Sequence, residues 1–86
     1  KLKSNIAYFY DNKGHSLKAL NKYKESVECY DAAIKMDPKN PTYFNNKGDA
    51  LYNLELYKES VECYDAAIKI NPKNPIYFEN EGKALY

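Results

Sequence analysis

The side chains with the strongest chemical potential are few and scattered along the chain. Asp11 and His15 stand four residues apart, a spacing that places both on one face of a helix, where they could bind a metal ion weakly. His15 is the only histidine, and spacing identifies no Ser or Cys partner that would make it a catalytic base. The pattern therefore favours a surface histidine, and we predict no catalytic residue, no metal and no cofactor.

The remaining reactive side chains also have simpler interpretations. Cys29 and Cys63 form no CxxC motif and are typical of reduced, partly buried helix residues in a cytoplasmic protein. The acidic pairs in each copy of a repeated segment are typical of a solvated helix face, and no glycine-rich phosphate loop is present. An enzyme is therefore the least favoured function.

The composition excludes several classes of partner. The 86 residues have a net charge of +1 with both signs spread evenly, whereas a nucleic-acid-binding domain usually shows a strong basic bias. No apolar run approaches the roughly 20 residues that cross a bilayer. There is no secretory signal and no initiating Met, so we expect a single domain, residues 1–86, from a longer protein, with no nucleic-acid or membrane partner.

One segment of the sequence occurs twice. The letters YKESVECYDAAIK run over residues 23–35 and again over 57–69. The backbone-breaking residues keep the same 34-residue offset, namely Gly14, Gly48 and Gly82, Pro38 and Pro72, and Pro41 and Pro75. A fixed period of this length indicates stacked repeats, here about 7–40, 41–74 and a partial unit over 75–86.

Apolar residues within each copy follow helical spacing. The pattern predicts five helices, over 7–20, 24–36, 41–54, 58–70 and 75–86, and no strands. Asn caps and prolines mark the boundaries at 37–41 and 71–75, and turns are expected near Asn21 and Glu55. The stripe that carries Tyr23, Tyr30, Tyr57 and Tyr64 is expected in the core. Asp31 and Asp65 are expected to pair with Lys35 and Lys69 four residues later.

A glycine inside a helix requires a reason, because it destabilises the helix by about 1 kcal/mol relative to Ala. We predict that each glycine allows the second helix of its unit to approach closely. Small residues of that helix are expected to face the glycine, namely Ser26, Ala33, Ser60 and Ala67.

The repeat resembles the tetratricopeptide repeat (TPR), whose signature is W-x2-L-G-x2-Y, then A-x3-F, then P. The second copy reads Phe44-x2-Lys47-Gly48-x2-Leu51, Ser60-x3-Tyr64, Ala67 and Pro72, and the first reads Tyr10-x2-Lys13-Gly14-x2-Leu17, Ser26-x3-Tyr30, Ala33 and Pro38. The departures are Tyr or Phe for Trp, Lys for the first Leu, Leu for Tyr, and Ser for the first Ala. The two lysines would bury their stems and extend the ammonium to water. The resemblance covers about two and a half repeats. It implies an all-α, right-handed superhelical stack of antiparallel helix pairs whose first helices line the concave side.

The resemblance also implies a protein-interaction scaffold that binds a peptide or partner segment in the concave groove. Helical geometry places the candidate binding residues on this face: Tyr8, Asp11, Asn12, His15, Thr42, Asn45, Asn46, Asp49, Tyr52, Asn53, Asn80 and Lys83. The period aligns Asn12, Asn46 and Asn80, which could either hold a peptide backbone or bond neighbouring helices. TPR domains that bind acidic chaperone tails use a clamp of Lys, Asn and Arg. Only Asn46 agrees with that clamp here, and Asp11 reverses the charge, so we expect no such partner.

The two ends suggest an additional property. Apolar residues there are expected to lack a packing partner, unless Leu2 and Ile6 fold back as a cap, and they are Phe9, Tyr10, Phe78, Leu85 and Tyr86. Unprotected ends of a repeat stack favour weak end-to-end self-association or a domain swap. The alternative function is therefore a structural spacer or self-assembling segment within a longer repeat array.

Overall fold

The computed structural model describes residues 2–85, which form five α-helices and contain no strand. The helices are α1 (Leu2–Ala19), α2 (Tyr23–Met36), α3 (Pro41–Asn53), α4 (Tyr57–Ile70) and α5 (Pro75–Leu85). The number and order of the helices confirm the sequence prediction. The start of the first helix was wrong, because α1 begins at Leu2 and not near residue 7. Leu2 and Ile6 continue this helix and do not fold back as a cap, since no Gly or Pro interrupts the chain before residue 14.

The turns inside the repeats use a left-handed residue, as the sequence predicts. Asn21 has φ 63° and Glu55 has φ 64°. In both turns the next residue donates its N–H across the turn, from Lys22 to the carbonyl of Leu17 at 2.8 Å and from Leu56 to that of Leu51 at 2.9 Å. This Schellman arrangement satisfies the last carbonyls of α1 and α3. It holds Glu55 in a conformation that costs a non-glycine residue about 1–2 kcal/mol.

The connections between repeats are capped as predicted. The side chain of Asn40 accepts a hydrogen bond from the N–H of Thr42 at 3.0 Å, and Asn74 does the same for Ile76 at 3.0 Å. A proline occupies the first position of α3 and of α5, where its missing N–H leaves no intrahelical bond unmade. The Asn-Pro pairs therefore fix the start of each repeat.

The packing of the helices defines two layers. Each helix packs on the next one along the chain, and the first helices α1, α3 and α5 also touch in sequence, α1 with α3 and α3 with α5. Within residues 2–85, the second helices α2 and α4 make no such contact with each other. The first helices therefore form the inner, concave layer, and the second helices form the convex layer. No helix in this part of the chain is long and apolar enough to cross a membrane.

The glycines of the first two repeats lie directly against tyrosine rings. A Cβ atom at Gly14 would stand 2.7 Å from Cε1 of Tyr30, and one at Gly48 would stand 2.6 Å from Cε1 of Tyr64. Both rings are fully buried. The predicted close approach is therefore present in these two repeats, but the group that requires it is a large ring and not a small residue.

The serines of the second helices also reach these glycines. Ser26 Oγ donates to the carbonyl oxygen of Gly14 at 2.8 Å, and Ser60 Oγ donates to that of Gly48 at 2.8 Å. Both serines are fully buried, so each hydroxyl has its partner inside the helix pair. A ring and a hydroxyl, four residues apart, thus join the two helices of each of these repeats.

The predicted ion pair within α2 is replaced by one between repeats. Asp31 Oδ1 lies 2.6 Å from Nζ of Lys47 in α3, and no ion pair with Lys35 is present. Burial of Lys47 by itself lowers its pKa, but the hydrogen bond and the charge of Asp31 outweigh burial and raise it. Lys47, the unusual lysine of the second repeat, therefore pairs with a carboxylate of the preceding repeat.

The third repeat reverses the charge at the same position. Glu81 stands where Lys47 stands in the second repeat, and it faces Asp65, the equivalent of Asp31. The hydrogen bond with Asp65, followed by burial and the charge of that carboxylate, raises the pKa of Glu81 to about 7. The predicted pair of Asp65 with Lys69 is also absent among the ion pairs of residues 2–85. The contact between α4 and α5 is therefore sensitive to protonation.

Candidate binding groove

Hydrogen bonds between consecutive first helices shape the concave face. Asn46 Nδ2 donates to Asp11 Oδ1 at 2.9 Å, and Asn80 Nδ2 donates to Asn45 Oδ1 at 3.0 Å. Both bonds join residues 35 apart, so the same amide position is used in two successive repeats. Asn46 is buried at this contact. The periodic asparagines were expected either to hold a peptide backbone or to bond neighbouring helices, and Asn46 and Asn80 bond neighbouring helices. Asn12 is exposed.

His15 completes a small polar cluster with this first bond. Its Nε2 lies 3.2 Å from Asn46 Nδ2 and 3.7 Å from Asp11 Oδ2. The neutral ring can accept the second N–H of the Asn46 amide, whereas the protonated ring pairs with the carboxylate. Asp11 and Asn46 are buried while His15 is exposed. The cluster thus holds α1 against α3 and leaves the imidazole edge at the groove.

Asp49 organises the middle of the groove. It accepts a hydrogen bond from the hydroxyl of Tyr64 at 2.5 Å, and Nζ of Lys18 lies 3.9 Å from its second oxygen. Burial, and after it the hydrogen bond to Asp49, raises the pKa of Tyr64. Tyr64 therefore contributes both to the core and to the groove. Its ring packs on Gly48, and its hydroxyl lies at the groove.

The equivalent tyrosine of the first repeat has no such partner. The hydroxyl of Tyr30 is buried without a hydrogen-bond partner, because His15 occupies the position that Asp49 has in the second repeat. The His15 ring stands edge-on to the Tyr30 ring at 5.8 Å between centroids. Burial raises the pKa of Tyr30 to about 12, so its proton stays in place at neutral pH.

An aromatic and cationic cluster forms at the α5 side of the groove. Nζ of Lys83 lies 5.4 Å from the centroid of the Tyr52 ring, and the Tyr57 ring meets Tyr52 edge-on at 5.4 Å. Tyr57 is 45% exposed, so its assignment to the core was wrong. Tyr57 is the first residue of α4, at the turn, and its ring packs edge-on against Tyr52 and does not enter the core.

Beside these contacts the concave face has a cavity of about 310 Å³ that is open to solvent. It is lined by Lys18, Asp49, Tyr52, Asn53, Tyr64, Asn80 and Lys83. Five of these are among the residues expected on this face. Sequence reasoning missed Lys18 and the hydroxyl of Tyr64. Lys18 lies one repeat before Tyr52, so the period itself could have found it.

The other expected groove residues lie outside this cavity. Tyr8, Asn12 and Thr42 are exposed on α1 and α3 and do not line it. Asp11, His15, Asn45 and Asn46 are engaged in the bonds between repeats described above. The structure thus divides the predicted face into residues that join the first helices and residues that stand around an open cavity.

The two ends carry exposed apolar side chains, with one exception. Phe9, Phe78 and Leu85 are exposed. Tyr10 is half-buried and packs against the cluster of Ala7, Ala33 and Tyr43, so its placement at an uncovered end was wrong. This burial follows from α3, whose Tyr43 ring covers that side of α1. Tyr86 lies outside the described residues.

Comparison with known proteins gives one family. A family model described as "TPR repeat" matches residues 14–55 and 48–86. No curated protein sequence gives a significant match. Solved structures with the same fold include the TPR domain of Arabidopsis OM64, which is 23% identical with a TM-score of 0.92, over 95% of this chain and 68% of that one.

Two further structures were solved as peptide-binding proteins. The first TPR of Spaghetti (RPAP3), bound to the HSP90 peptide SRMEEVD, is 25% identical with a TM-score of 0.92, over 94% of this chain and 64% of that one. YrrB, described as a TPR protein with an unusual peptide-binding site, is 25% identical with a TM-score of 0.81, over 88% of this chain and 39% of that one. The described helices thus form the all-α stack of antiparallel pairs that the sequence predicts.

Proposed function

Because the chain belongs to the tetratricopeptide repeat family, whose domains generally mediate protein–protein interaction, we propose that it is an interaction scaffold. In this proposal the concave groove binds a peptide or an extended segment of a partner protein, and the chain performs no catalysis. The cavity of about 310 Å³ between α1, α3 and α5 carries the proposal. Polar and aromatic side chains of all three first helices line this cavity.

The groups around this cavity suit a peptide. The Lys83 ammonium can pair with an acidic side chain or a carbonyl oxygen, and the amide of Asn53 offers both a donor and an acceptor. The Tyr52 ring offers a large contact area at a low cost in side-chain entropy. Lys18 on α1 and Asp49 on α3 add charges of both signs to the lining. This mixture favours a segment with alternating polar and apolar side chains over a uniformly acidic one.

The chaperone tails that some similar structures hold are not the proposed ligand. The first TPR of Spaghetti was solved with the HSP90 peptide SRMEEVD. In the present chain Asn46, the one residue that agrees with the acidic-tail clamp, donates its amide to Asp11. The buried Asp11 carboxylate would stand where a clamp needs positive charge, and it would repel an acidic terminus.

The groove proposal is tested with peptides selected from a displayed random library on the full chain. A selected peptide is titrated into the parent and into Tyr52→Ala and Lys83→Ala, with Glu62→Ala on the convex layer as the matched control. We expect Kd to rise about tenfold in each groove variant, the loss typical of a central contact residue. The control should keep the parental Kd, and SRMEEVD should not bind.

Asn46→Ala is unsuitable for this purpose. The Asn46 side chain joins α1 to α3, so its removal lowers stability as well as affinity. If affinity survives both groove variants and falls with Glu62→Ala, the ligand lies on the convex layer and the groove proposal is overturned.

A second candidate function is self-assembly through the ends of the stack. The exposed apolar residues Phe9 on α1 and Phe78 and Leu85 on α5 favour it. Self-association would be weak, concentration-dependent and compatible with a spacer in a longer array. Sedimentation over a wide concentration range tests it, and a monomer throughout, unchanged by Leu85→Lys, would overturn it.

A further inference from the structure

The middle first helix, α3, presents side chains to the groove at three positions spaced three residues apart. Each of them meets a charged residue of a neighbouring first helix. The three pairs are Asn46 Nδ2 with Asp11 Oδ1 at 2.9 Å, Asp49 Oδ2 with Lys18 Nζ at 3.9 Å, and the Tyr52 ring with Lys83 Nζ at 5.4 Å from its centroid. Residues three apart lie on one face of a helix, so the pairs follow one another along the groove. The charge that they carry changes from negative through balanced to positive.

The negative end of the groove has a free acceptor. Asp11 Oδ1 accepts the amide of Asn46, whereas Oδ2 accepts no hydrogen bond within residues 2–85 and lies 3.7 Å from Nε2 of His15. The hydroxyl of Tyr30 is the only side-chain oxygen or nitrogen in this range that is both fully buried and unpartnered. Asp11 Oδ2 therefore touches solvent, although the residue as a whole is 6% exposed. An N–H group of a ligand can donate to this oxygen.

The positive end of the groove has a free cation. The Lys83 ammonium lies over the Tyr52 ring and forms no ion pair in the described part of the chain, including with Glu79 one turn before it. Lys83 also lines the cavity of about 310 Å³, so a ligand carboxylate can reach it from the groove. A charge-assisted hydrogen bond to this ammonium is the contact that the cavity offers to an acidic side chain.

The geometry of α3 sets the distance between the two ends. Tyr52 stands six residues after Asn46, which is about 9 Å along the helix at 1.5 Å per residue. The helices of Asp11 and Lys83 each contact α3 but not each other, so the two contacts are also separated across α3 by about one interhelical distance, roughly 8–10 Å. The ends are thus about 12–13 Å apart, and an extended peptide covers this distance in about four residues.

We propose that the ligand of the groove is an extended peptide segment with one basic and one acidic side chain about four residues apart. The basic group donates to Asp11 Oδ2 beside His15, and the acidic group pairs with Lys83. This inference rests on the proposed function, because it requires that the groove binds a peptide. It adds the charges of that peptide and their spacing.

The order of charges disfavours segments of a single sign. A uniformly acidic segment would place a carboxylate against Asp11, and a uniformly basic one would place an ammonium against Lys83. Such like-charge contacts suppress wrong partners in protein interfaces. The Lys18–Asp49 pair between the two ends is balanced internally, so the residues between the two charged positions of the ligand are not selected by charge.

The probe is a displayed library of random nine-residue peptides, selected on the full chain at low salt. We expect the selected peptides to share a Lys or Arg and an Asp or Glu about four positions apart. In a synthetic copy of one such peptide, the basic residue is replaced by norleucine or citrulline, and in a second copy the acidic residue is replaced by Gln. Each replacement should raise Kd for the parent protein about threefold to tenfold.

Protein variants identify the partner of each charge. Asp11→Asn keeps an oxygen that accepts the Asn46 amide, and a thermal melt checks that it is folded. The basic replacement in the peptide should change Kd little on Asp11→Asn, and the acidic replacement should change it little on Lys83→Met, because the paired charge is already gone. Lys83 is exposed, so Lys83→Met tests the positive end even if Asp11→Asn unfolds. Glu62→Gln on the convex layer is the matched control for the loss of one charge and should reproduce the parental values.

Two results would overturn the inference and leave the groove proposal standing. One is a set of peptides that lose affinity with Tyr52→Ala but share no such pair of charges. The other is a replacement in the peptide that raises Kd by the same factor on the parent and on the variant that lacks the paired charge. If no peptide is selected, or if affinity depends on Glu62 and not on Tyr52, both the inference and the groove proposal fail.

Discussion

Gly48 and Gly82 occupy the same position in successive repeats, but the structure predicts opposite responses to one substitution. A Cβ at Gly48 would stand 2.6, 2.9 and 3.0 Å from three atoms of the Tyr64 ring. That ring cannot move aside, because it is fully buried and its hydroxyl is bonded to Asp49. A Cβ at Gly82 would meet no atom within 4 Å.

The magnitude follows from two opposing terms. Replacing glycine by alanine inside a helix stabilises it by roughly 0.5–1 kcal/mol, and this term is similar at both positions. Overpacking against a fixed ring costs about 1–3 kcal/mol and applies only at Gly48. The free energies of unfolding of Gly48→Ala and Gly82→Ala should therefore differ by about 1–3 kcal/mol, with Gly82→Ala at or above the parent and Gly48→Ala the less stable of the two.

Thermal melts followed by far-ultraviolet circular dichroism measure this difference. In a domain of this size 1 kcal/mol corresponds to about 4–8 °C in melting temperature, so the two variants should separate by at least about 4 °C. Gly48→Leu should unfold the chain or destabilise it further. If both alanine variants melt together, or if Gly48→Leu is as stable as the parent, close packing of Tyr64 is not the reason for the glycine.

Two more predictions come from positions where the repeats differ. Tyr64→Phe should lower the free energy of unfolding by about 1.5–3 kcal/mol, because it removes a hydrogen bond to a carboxylate, whereas Tyr30→Phe should leave it unchanged or raise it, since that hydroxyl is buried without a partner. Equal losses in urea unfolding would refute this account. The pKa of Glu81 is raised above its ordinary value of 4.5 to about 7 by its hydrogen bond to Asp65. Its protonated form therefore stabilises the fold below about pH 4.5, and this contribution is lost as the pH rises through about 7. Melting temperatures of the parent should thus fall relative to Glu81→Gln between about pH 5 and about pH 8, and parallel curves would show that the pair does not matter.

The sequence alone was sufficient for the features that depend on local chemistry and on the period. Proline and asparagine at one offset predicted the boundaries between repeats, because caps and turns use residues within one turn of the helix end. The repeated apolar stripe predicted the stack, since a single helix pair cannot bury its own apolar face. The start of α1 was missed because no Gly or Pro stands before residue 14. Without such a residue the sequence gives no signal of where the helix begins.

The candidate site was predictable as a face but not as a set of contacts. Helical geometry placed Asp49, Tyr52 and Lys83 on the concave side, and the structure surrounds one cavity with them. Which residues bond across repeats could not be read, because those bonds join residues 35 apart and depend on the angle and distance at which two helices pack.

Only the tertiary structure decided what equivalent residues do. Tyr30 and Tyr64 stand in identical segments, yet one hydroxyl is unpartnered and the other is bonded to Asp49. The difference lies in the facing helix, where the first repeat has His15 and the second has Asp49. The hydrogen bonds of a side chain depend on the groups around it, and in a stack of repeats those groups belong to the neighbouring helices. Two identical segments can therefore form different hydrogen bonds.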